Sequence, residues 1–287
     1  MPRIAVGIEY LGTNYVGWQI QAGRRSVQGA VEDALSAVAD EPVSTTCAGR
    51  TDAGVHALGQ VAHFDTLALR APRAWVLGAN ASLPPDIVLT WAQEMPPAFH
   101  ARFGAVARTY RYHILNRSER SALAAGRVAW VHRPLEIARM NAAAAHLLGE
   151  HDFSAFRATG CQSKTPLRRV TELAVRREGD HVTITVTANA FLHHMVRNIT
   201  GLLISVGRGD AAPEFAAEVL AGRDRTRNAA TAPAGGLYFA AVRYPREFAV
   251  PVSDVPSTSR RRSRTAPSAR VASVSMVSRS SAGRSRK

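Results

Sequence analysis

The feature that most restricts the fold of this chain is an order of segments that occurs twice. Apolar periodicity in the first run predicts strand, helix, strand, strand, helix and strand at 3–9, 27–39, 43–48, 60–65, 73–81 and 87–93. The second run has the same order at 106–115, 134–148, 170–176, 181–188, 192–206 and 237–244, with an extra helix at 213–221. A repeated β-α-β-β-α-β order predicts an α+β fold of two ferredoxin-like halves with largely antiparallel sheets.

The domain boundaries follow from this order, although the two halves share no visible sequence repeat. We predict an N-terminal half at 1–100, a C-terminal half at 101–246 and a tail at 247–287. The tail is rich in Ser, Arg, Pro and Thr, with too few apolar residues to form a core, so we expect most of it to be disordered.

One connection differs between the halves. A turn at 177–180 joins the middle strands of the second half, whereas a long loop, Cys-Ala-Gly-Arg-Thr-Asp-Ala-Gly-Val-His-Ala at 47–57 with Leu-Gly after it, joins those of the first. Gly49, Gly54 and Gly59 allow positive φ or close backbone approach, and Asp52 is the side chain such a loop would present. An ordinary Asx turn is the alternative for an isolated Asp. One active site per chain, in a basic cleft between the halves, is the expectation.

Charge points to a polyanionic partner. The net charge is +14, and nine of the 36 basic residues lie at 255–287 with no acid among them, which leaves a net charge of +5 for the rest. Nearly all the cations are arginines, which suit phosphate binding but equally reflect a GC-rich genome. The tail is either an RNA-holding element or simply solvated; the sequence leaves both open.

Other function classes lack support. No apolar run approaches the roughly 20 residues of a membrane helix, and no signal peptide precedes the first strand. The two cysteines form no C-x-x-C pair, which suits a reducing cytosol, so a cytoplasmic location is predicted. There is no zinc motif, no phosphate-binding P-loop and no dinucleotide fingerprint. Structural or RNA-facing roles are therefore expected for four histidines: His56, His63, His193 and His194.

A longer set of motifs carries a family resemblance. Gly-Arg-Thr-Asp-Ala-Gly-Val-His-Ala at 49–57 is similar to the signature of the tRNA pseudouridine synthase A (TruA-type) family. Further matches span about 3–246: Tyr-Leu-Gly-Thr-Asn-Tyr-Val-Gly-Trp-Gln at 10–19, Leu-Pro-Pro-Asp at 83–86, Phe-His-Ala-Arg-Phe at 99–103, Tyr-Arg-Tyr at 110–112, His-Asp-Phe at 151–153, Phe-Leu-His-His-Met-Val-Arg-Asn at 191–198 and Gly-Leu-Tyr at 236–238. The tail has no expected counterpart in the family.

The resemblance implies an activity and a fold. The family isomerises uridine to pseudouridine at positions 38, 39 and 40 in the anticodon arm of tRNA, as homodimers, and we expect no cofactor and no metal here. The fold implied is the pseudouridine synthase fold.

The resemblance also implies residue roles. Asp52 matches the catalytic aspartate, which adds to C1′, adds to the uracil ring or opens a glycal route; these alternatives stay open. Arg197 is expected to keep Asp52 ionised, and Tyr110 to stack on the target uracil, although a core role for Tyr110 is the alternative its strand pattern offers. Arg50 is expected to help extrude the nucleotide. Weaker candidates for phosphate contact are Arg24, Arg25, Arg102, Arg108, Arg111, Arg168 and Arg169.

Two other functions compete with this one. The first is a non-catalytic RNA-binding protein that keeps the loop as a scaffold, and the second is a synthase of related fold that acts on another RNA. Loss of the hydrogen from C5 of uridine separates catalysis from binding.

Overall fold

The computed structural model describes residues 1–251, which fold around one large, mostly antiparallel sheet. Its strands are β1 Arg3–Tyr10, β2 Thr46–Cys47, β3 His56–Asp65, β4 Ile87–Met95, β5 Ala107–Asn116, β6 Ala129–Val131, β7 Gly149–Asp152, β8 Leu167–Glu178, β9 His181–Ala188 and β10 Leu237–Arg243. The helices are α1 Val27–Ala39, α2 Pro72–Ser82, α3 Ile137–Ala145, α4 Met195–Gly207 and α5 Phe215–Gly222. The predicted α+β class is confirmed.

The strand order places distant parts of the chain side by side. It runs β4-β1-β3-β10-β5-β9-β8-β7, with β2 beside β3 and β6 beside β5. Strand β10 pairs in parallel with β3 and antiparallel with β5, so Phe239 lies opposite both Ala57 and Tyr110. The start of β3, just after the long loop, is therefore close to the middle of β5.

Helix α1 begins and ends by local chemistry. The Ser26 side chain accepts a hydrogen bond from the Gly29 backbone N–H, as the sequence predicts for an N-cap. The helix ends one residue before Asp40, whose φ of 58° stops it ahead of Pro42.

Strand β2 is shorter than the six residues predicted. The backbone N–H of Val43 donates to the Ser36 hydroxyl, and that of Thr45 donates to the Glu32 carboxylate. These donors are satisfied by side chains of α1 and are not available for a sheet ladder, so only Thr46 and Cys47 pair with β3.

Helix α3 is also shorter than predicted. The backbone N–H of Leu135 donates to the Asn116 side chain, and that of Glu136 donates to the Gly207 carbonyl. The prediction that Pro134 begins the helix was wrong because these tertiary bonds hold the preceding residues extended. The short strands β6 and β7 were not predicted.

The residues directly after β10 pack against the rest of the described fold. The Phe248 ring packs edge-on against Phe99, with centroids 5.4 Å apart, in a short 3-10 helix at Arg246–Phe248. The rest of the predicted tail, from 252 to 287, lies outside the described residues. Within residues 1–251 no helix is long and apolar enough to cross a membrane.

Candidate active site

The loop between β2 and β3, residues 48–55, is held by a second loop at 10–25. Gly17 and Asp52 form an isolated antiparallel bridge. The Trp18 backbone N–H donates to the Thr51 carbonyl at 2.9 Å, and the Val55 N–H donates to the Asp52 carbonyl at 3.1 Å. The backbone on either side of Asp52 is thus fixed by the chain that follows β1.

Two buried side chains fix the same loop from below. The hydroxyls of Tyr10 and Thr51 lie 2.7 Å apart in a buried hydrogen bond. The fully buried Gln60 donates from Nε2 to the Gly49 carbonyl at 2.6 Å and accepts from the Gly49 N–H at 3.4 Å. The loop is therefore held in one conformation by buried hydrogen bonds and is not a mobile surface loop.

Glycine residues allow the two loops to pack this closely, but only some of the glycines predicted from the sequence have this role. Gly54 has a φ of 76°, Gly49 lies against the Phe239 ring, and Gly59 lies within β3. Gly17 is restricted in two ways, because its φ is 109° and a built Cβ would lie only 2.5 Å from the Thr51 carbonyl oxygen. Only glycine allows the two backbones to approach this closely.

Three side chains from the start of α4 surround the Asp52 carboxylate. His193 Nε2 lies 3.3 Å from Oδ1, His194 Nε2 lies 3.4 Å from Oδ2, and Arg197 Nη1 lies 3.9 Å from Oδ2. Arg197 is therefore near Asp52, as the sequence predicts, but the two histidines lie closer. The carboxylate is about one-third exposed, so the attraction between Arg197 and Asp52 acts through partly solvated space.

Arg197 and His194 are themselves fixed. Arg197 donates from Nε to the Ala232 carbonyl at 2.8 Å, and its Nη1 lies 3.2 Å from His194 Nε2. A guanidinium only donates, so this contact makes His194 Nε2 an acceptor and puts the ring proton on Nδ1. Burial lowers the pKa of His194, although the Asp52 charge acts in the opposite direction. His194 has a φ of 60°, a strained conformation for a non-glycine residue.

Tyr110 lies on the neighbouring strand β5 with its ring held between two others. Phe191 and Phe239 contact it edge-on, with centroids 4.9 and 5.0 Å away. Burial, together with the nearby Asp52 charge, raises the pKa of the Tyr110 phenol well above its usual range. The hydroxyl therefore stays protonated at neutral pH.

A pocket of about 780 Å³ contains these groups and is strongly basic. Asp52 is the single carboxylate in its lining, beside Tyr110, both histidines and five arginines: Arg50, Arg102, Arg108, Arg168 and Arg197. Arg50 is exposed and forms no ion pair among residues 1–251. The Arg108 guanidinium donates to backbone carbonyls, among them that of Ala48. It therefore holds neighbouring segments of the chain together.

The other predicted arginines lie outside the pocket. Arg25 stacks on the Tyr15 ring and pairs with Asp86 at 3.8 Å, while Arg169 pairs with Glu150 at 2.9 Å. Arg24 is exposed, and Arg111 points away from the pocket side of β5, since neighbouring strand residues alternate. Their proposed phosphate contacts stay predictions.

The histidines divide into two pairs. His56 accepts from the Gly12 N–H and contacts two backbone carbonyls, and His63 accepts from the Ala101 N–H, so both are structural. His193 and His194, in contrast, lie at the centre of the pocket. Their ring nitrogens and an Asp52 oxygen all lie within 4.8 Å of one another, a grouping able to hold a metal ion, and the expectation that none is bound stays a prediction.

Comparison with known proteins assigns the family. A family model described as tRNA pseudouridine synthase matches residues 7–104 and 143–245. The chain belongs to the tRNA pseudouridine synthase family. Curated relatives named tRNA pseudouridine synthase A are 57% identical over 246 residues in Methylococcus capsulatus, 55% over 251 in Hydrogenovibrio crunogenus and 54% over 256 in Nitrosococcus oceani.

These matches cover nearly the whole of each relative. They span 86%, 88% and 89% of this chain and 91%, 96% and 99% of the three tRNA pseudouridine synthases. The resemblance predicted from the motifs is thereby confirmed, and so is the assignment to a family of isomerases. The second matched segment includes both pocket histidines and Arg197, and the first includes Asp52.

Proposed function

We propose that this protein isomerises uridine to pseudouridine at positions 38, 39 and 40 in the anticodon stem-loop of tRNA, with Asp52 as the catalytic carboxylate. The observation that carries the proposal is the pocket itself, in which Asp52 is the single acid among five arginines and faces Tyr110. A basic pocket attracts a polyanion, and a carboxylate inside it is available to react with a sugar or base.

The reaction sets the demands on Asp52. Uracil must leave C1′ of the ribose, turn within the site and rejoin the sugar through C5. A carboxylate at C1′ stabilises the sugar cation or bonds to it, one at the ring adds to the base, and one near C2′ removes a proton for the glycal route. The braced loop supports all three, because each needs an ionised group held at one place.

Tyr110 and Arg197 support the same reaction. Phe191 and Phe239 hold the Tyr110 ring in place at the pocket wall, so the part of the ring that lines the pocket is a rigid surface on which we propose that the detached uracil stacks. Arg197, held by the Ala232 carbonyl, supplies positive charge beside the Asp52 carboxylate.

RNA binding falls to the exposed arginines. Arg50 is two residues from Asp52, exposed and without an ion pair among residues 1–251, which suits it to enter the stem as the target nucleotide leaves its stack. Arg24, Arg25 and Arg111 lie away from the pocket and are proposed to contact phosphates further along the arm.

The architecture we propose is two ferredoxin-like halves, 1–100 and 101–246, beside a basic cleft. The strand orders β4-β1-β3-β2 and β10-β5-β9-β8 support it, because each half then has its own fourth, first, third and second strands in sequence across the sheet. On the family resemblance we also propose a homodimer that acts in the cytoplasm. Light scattering of the purified protein tests the dimer.

Tritium release tests the activity. The protein is incubated with anticodon-arm RNA labelled as [5-³H]uridine, and release of tritium into water reports loss of the C5 hydrogen. We expect release by the unaltered protein and a loss of roughly 10⁴-fold or more in Asp52→Asn, the scale for removing a central catalytic group. RNA affinity should be retained, because the amide has nearly the shape of the carboxylate.

The control is Asp33→Asn, which removes an exposed carboxylate on α1 outside the pocket and should leave the rate unchanged. RNA binding without tritium release by the unaltered protein would favour the non-catalytic RNA-binding alternative. Undiminished release by Asp52→Asn would remove Asp52 from the mechanism.

A further inference from the structure

The isomerisation requires a base at its last step, and the roles proposed above for Asp52 and Tyr110 do not include that step. When C5 bonds to C1′, it carries both the sugar and its original hydrogen, and the ring holds an N1=C6 double bond. Loss of the C5 proton moves the electron pair into C5=C6 and returns the N1=C6 pair to N1, which takes up a proton. One proton leaves carbon and one reaches nitrogen, so a nearby group must carry the first away.

The geometry of the product fixes where that group must be. The new bond joins C5 to C1′, and every route in the proposed function places Asp52 beside C1′, beside C2′ or beside the uracil ring. The C5 hydrogen therefore departs within a few ångströms of the Asp52 carboxylate. This inference rests on the proposed function, because it takes the position of the sugar from it.

Few groups in the pocket lining are able to accept that proton. The phenol of Tyr110 is held protonated by burial, and the arginines do not deprotonate. His194 Nε2 already accepts from Arg197 and is half-buried. The Cys161 thiol already accepts a hydrogen bond from the His193 backbone N–H. Apart from Asp52 itself, His193 is the remaining side chain in contact with that carboxylate that has a lone pair able to accept a proton.

The position of His193 is built by its surroundings. Its carbonyl accepts from the Ala158 N–H at 3.0 Å, and its own N–H donates to Cys161 Sγ at 3.4 Å. Its ring lies 4.1 Å from that of His194, centroid to centroid. The side chain is 43% exposed, so a proton that it accepts has a direct route to water.

We propose that His193 is a catalytic residue that accepts the proton lost from C5 and passes it to solvent, with Asp52 steadying the imidazolium that forms. His193 Nε2 lies 3.3 Å from Asp52 Oδ1, so in the proposed step Nε2 carries the hydrogen on the Asp52 side and Nδ1 takes the proton from C5. The bond between C1′ and C5 releases any Asp52 ester, so the carboxylate is anionic again when the proton moves. Water then supplies the proton that N1 needs, and the labelled hydrogen appears in solvent.

The test compares His193→Ala and His193→Asn with the unaltered protein in single-turnover assays on anticodon-arm RNA. We expect each variant to slow pseudouridine formation by about 10²-fold or more, the usual effect of losing a general base. RNA affinity should be unchanged. The exposed His146 at the end of α3 provides the matched control, and His146→Ala should leave the rate as it is.

Two readouts separate proton transfer from a merely structural role. With [5-²H]uridine in the RNA, His193→Ala should show a larger primary isotope effect than the unaltered protein, because removal of the C5 hydrogen becomes rate-limiting. Added imidazole should restore part of the His193→Ala rate, since the truncation leaves room for it. A slow variant without either response would overturn the proposal, as would an unchanged rate.

Failure of the proposed function gives a different pattern. If the unaltered protein forms no pseudouridine in this RNA, both proposals fall. If the unaltered protein is active and Asp52→Asn is inactive while His193→Ala is as fast as the unaltered protein, only the role of His193 is refuted.

Discussion

Two connections at matching places in the sheet differ in that one of them lines the candidate pocket and the other does not. Residues 48–55 join β2 to β3, and Gly179 with Asp180 join β8 to β9; each pair of strands is antiparallel. The longer connection contains Asp52, and the shorter one is a two-residue turn, tighter than the four residues predicted. The sheet alone therefore does not make a site.

The two connections differ in how much of their support comes from elsewhere in the chain. The turn has a φ of 58° at Gly179 and one backbone hydrogen bond from another strand, in which the Asn116 N–H donates to the Asp180 carbonyl at 2.8 Å. The loop is fixed by contacts from elsewhere in the chain, with Gly17 bridged to Asp52 and Gln60 bonded to Gly49. The 48–55 loop is therefore rigid because other parts of the chain contact it. Substitutions at those contacts should disturb the loop more than substitutions in the turn disturb the turn.

Gly17→Ala should have the largest effect on this contrast. A Cβ at Gly17 would lie 2.5 Å from the Thr51 carbonyl oxygen, at a φ of 109° that L side chains rarely adopt. We expect a loss of about 3 kcal/mol in the free energy of unfolding, from strain and overpacking together. The displaced Asp52 should also slow tritium release by about 10²-fold. Urea denaturation and single-turnover assays measure the two effects.

The matched control is Gly23→Ala in the same bracing loop. Gly23 also has positive φ, at 68°, but its added Cβ would meet nothing within 4 Å. It should cost about 1 kcal/mol and leave tritium release unchanged. Equal losses of activity in the two variants would mean that the contact between the Gly17 and Thr51 backbones does not position Asp52.

Much of the fold was predictable because its signals are local. The Ser26 cap, the alternation in β5 and β9 and the stripe of α1 all depend on residues within one element. The predicted bounds of β2 and α3 are wrong where tertiary hydrogen bonds replace those of the regular element. The backbone N–H groups of Val43 and Leu135 donate to side chains of other elements, and the periodicity of the sequence does not indicate these bonds.

The pocket residues also fall into those that the sequence predicts and those that it does not. The loop motif and the family resemblance led to Asp52, Arg50, Tyr110 and Arg197, and the structure brings all four into one pocket. The histidines at 193 and 194 were assigned structural or RNA-facing roles because no metal or catalytic spacing links them to position 52. Their contact with Asp52 spans about 140 residues and depends on the junction of β3 with β10, which single-sequence patterns do not reveal.

Gln60→Leu should lower the stability and the rate of tritium release by less than Gly17→Ala does. Leucine fills the buried space but removes the amide that bonds to the Gly49 carbonyl and N–H. Leaving these two groups without their partner should cost about 1–3 kcal/mol of folding stability. Some loosening of the loop should lower the rate by less than Gly17→Ala does. Thermal denaturation with parallel tritium release checks both, and an unaltered melting temperature would show that the loop does not depend on Gln60.

Gly179→Ala should have the smallest effect, because the turn needs only a backbone conformation and no space. Its φ of 58° disfavours alanine, while the added Cβ would meet nothing within 4 Å. We expect a loss of about 1 kcal/mol, which lowers the melting temperature by about 2–4 °C in a protein of this size. Gly179→Asn should lose less, since asparagine tolerates this conformation better. Tritium release should be unchanged in both, because neither residue of the turn lines the pocket; a slowed reaction would show that the two connections are coupled through the sheet.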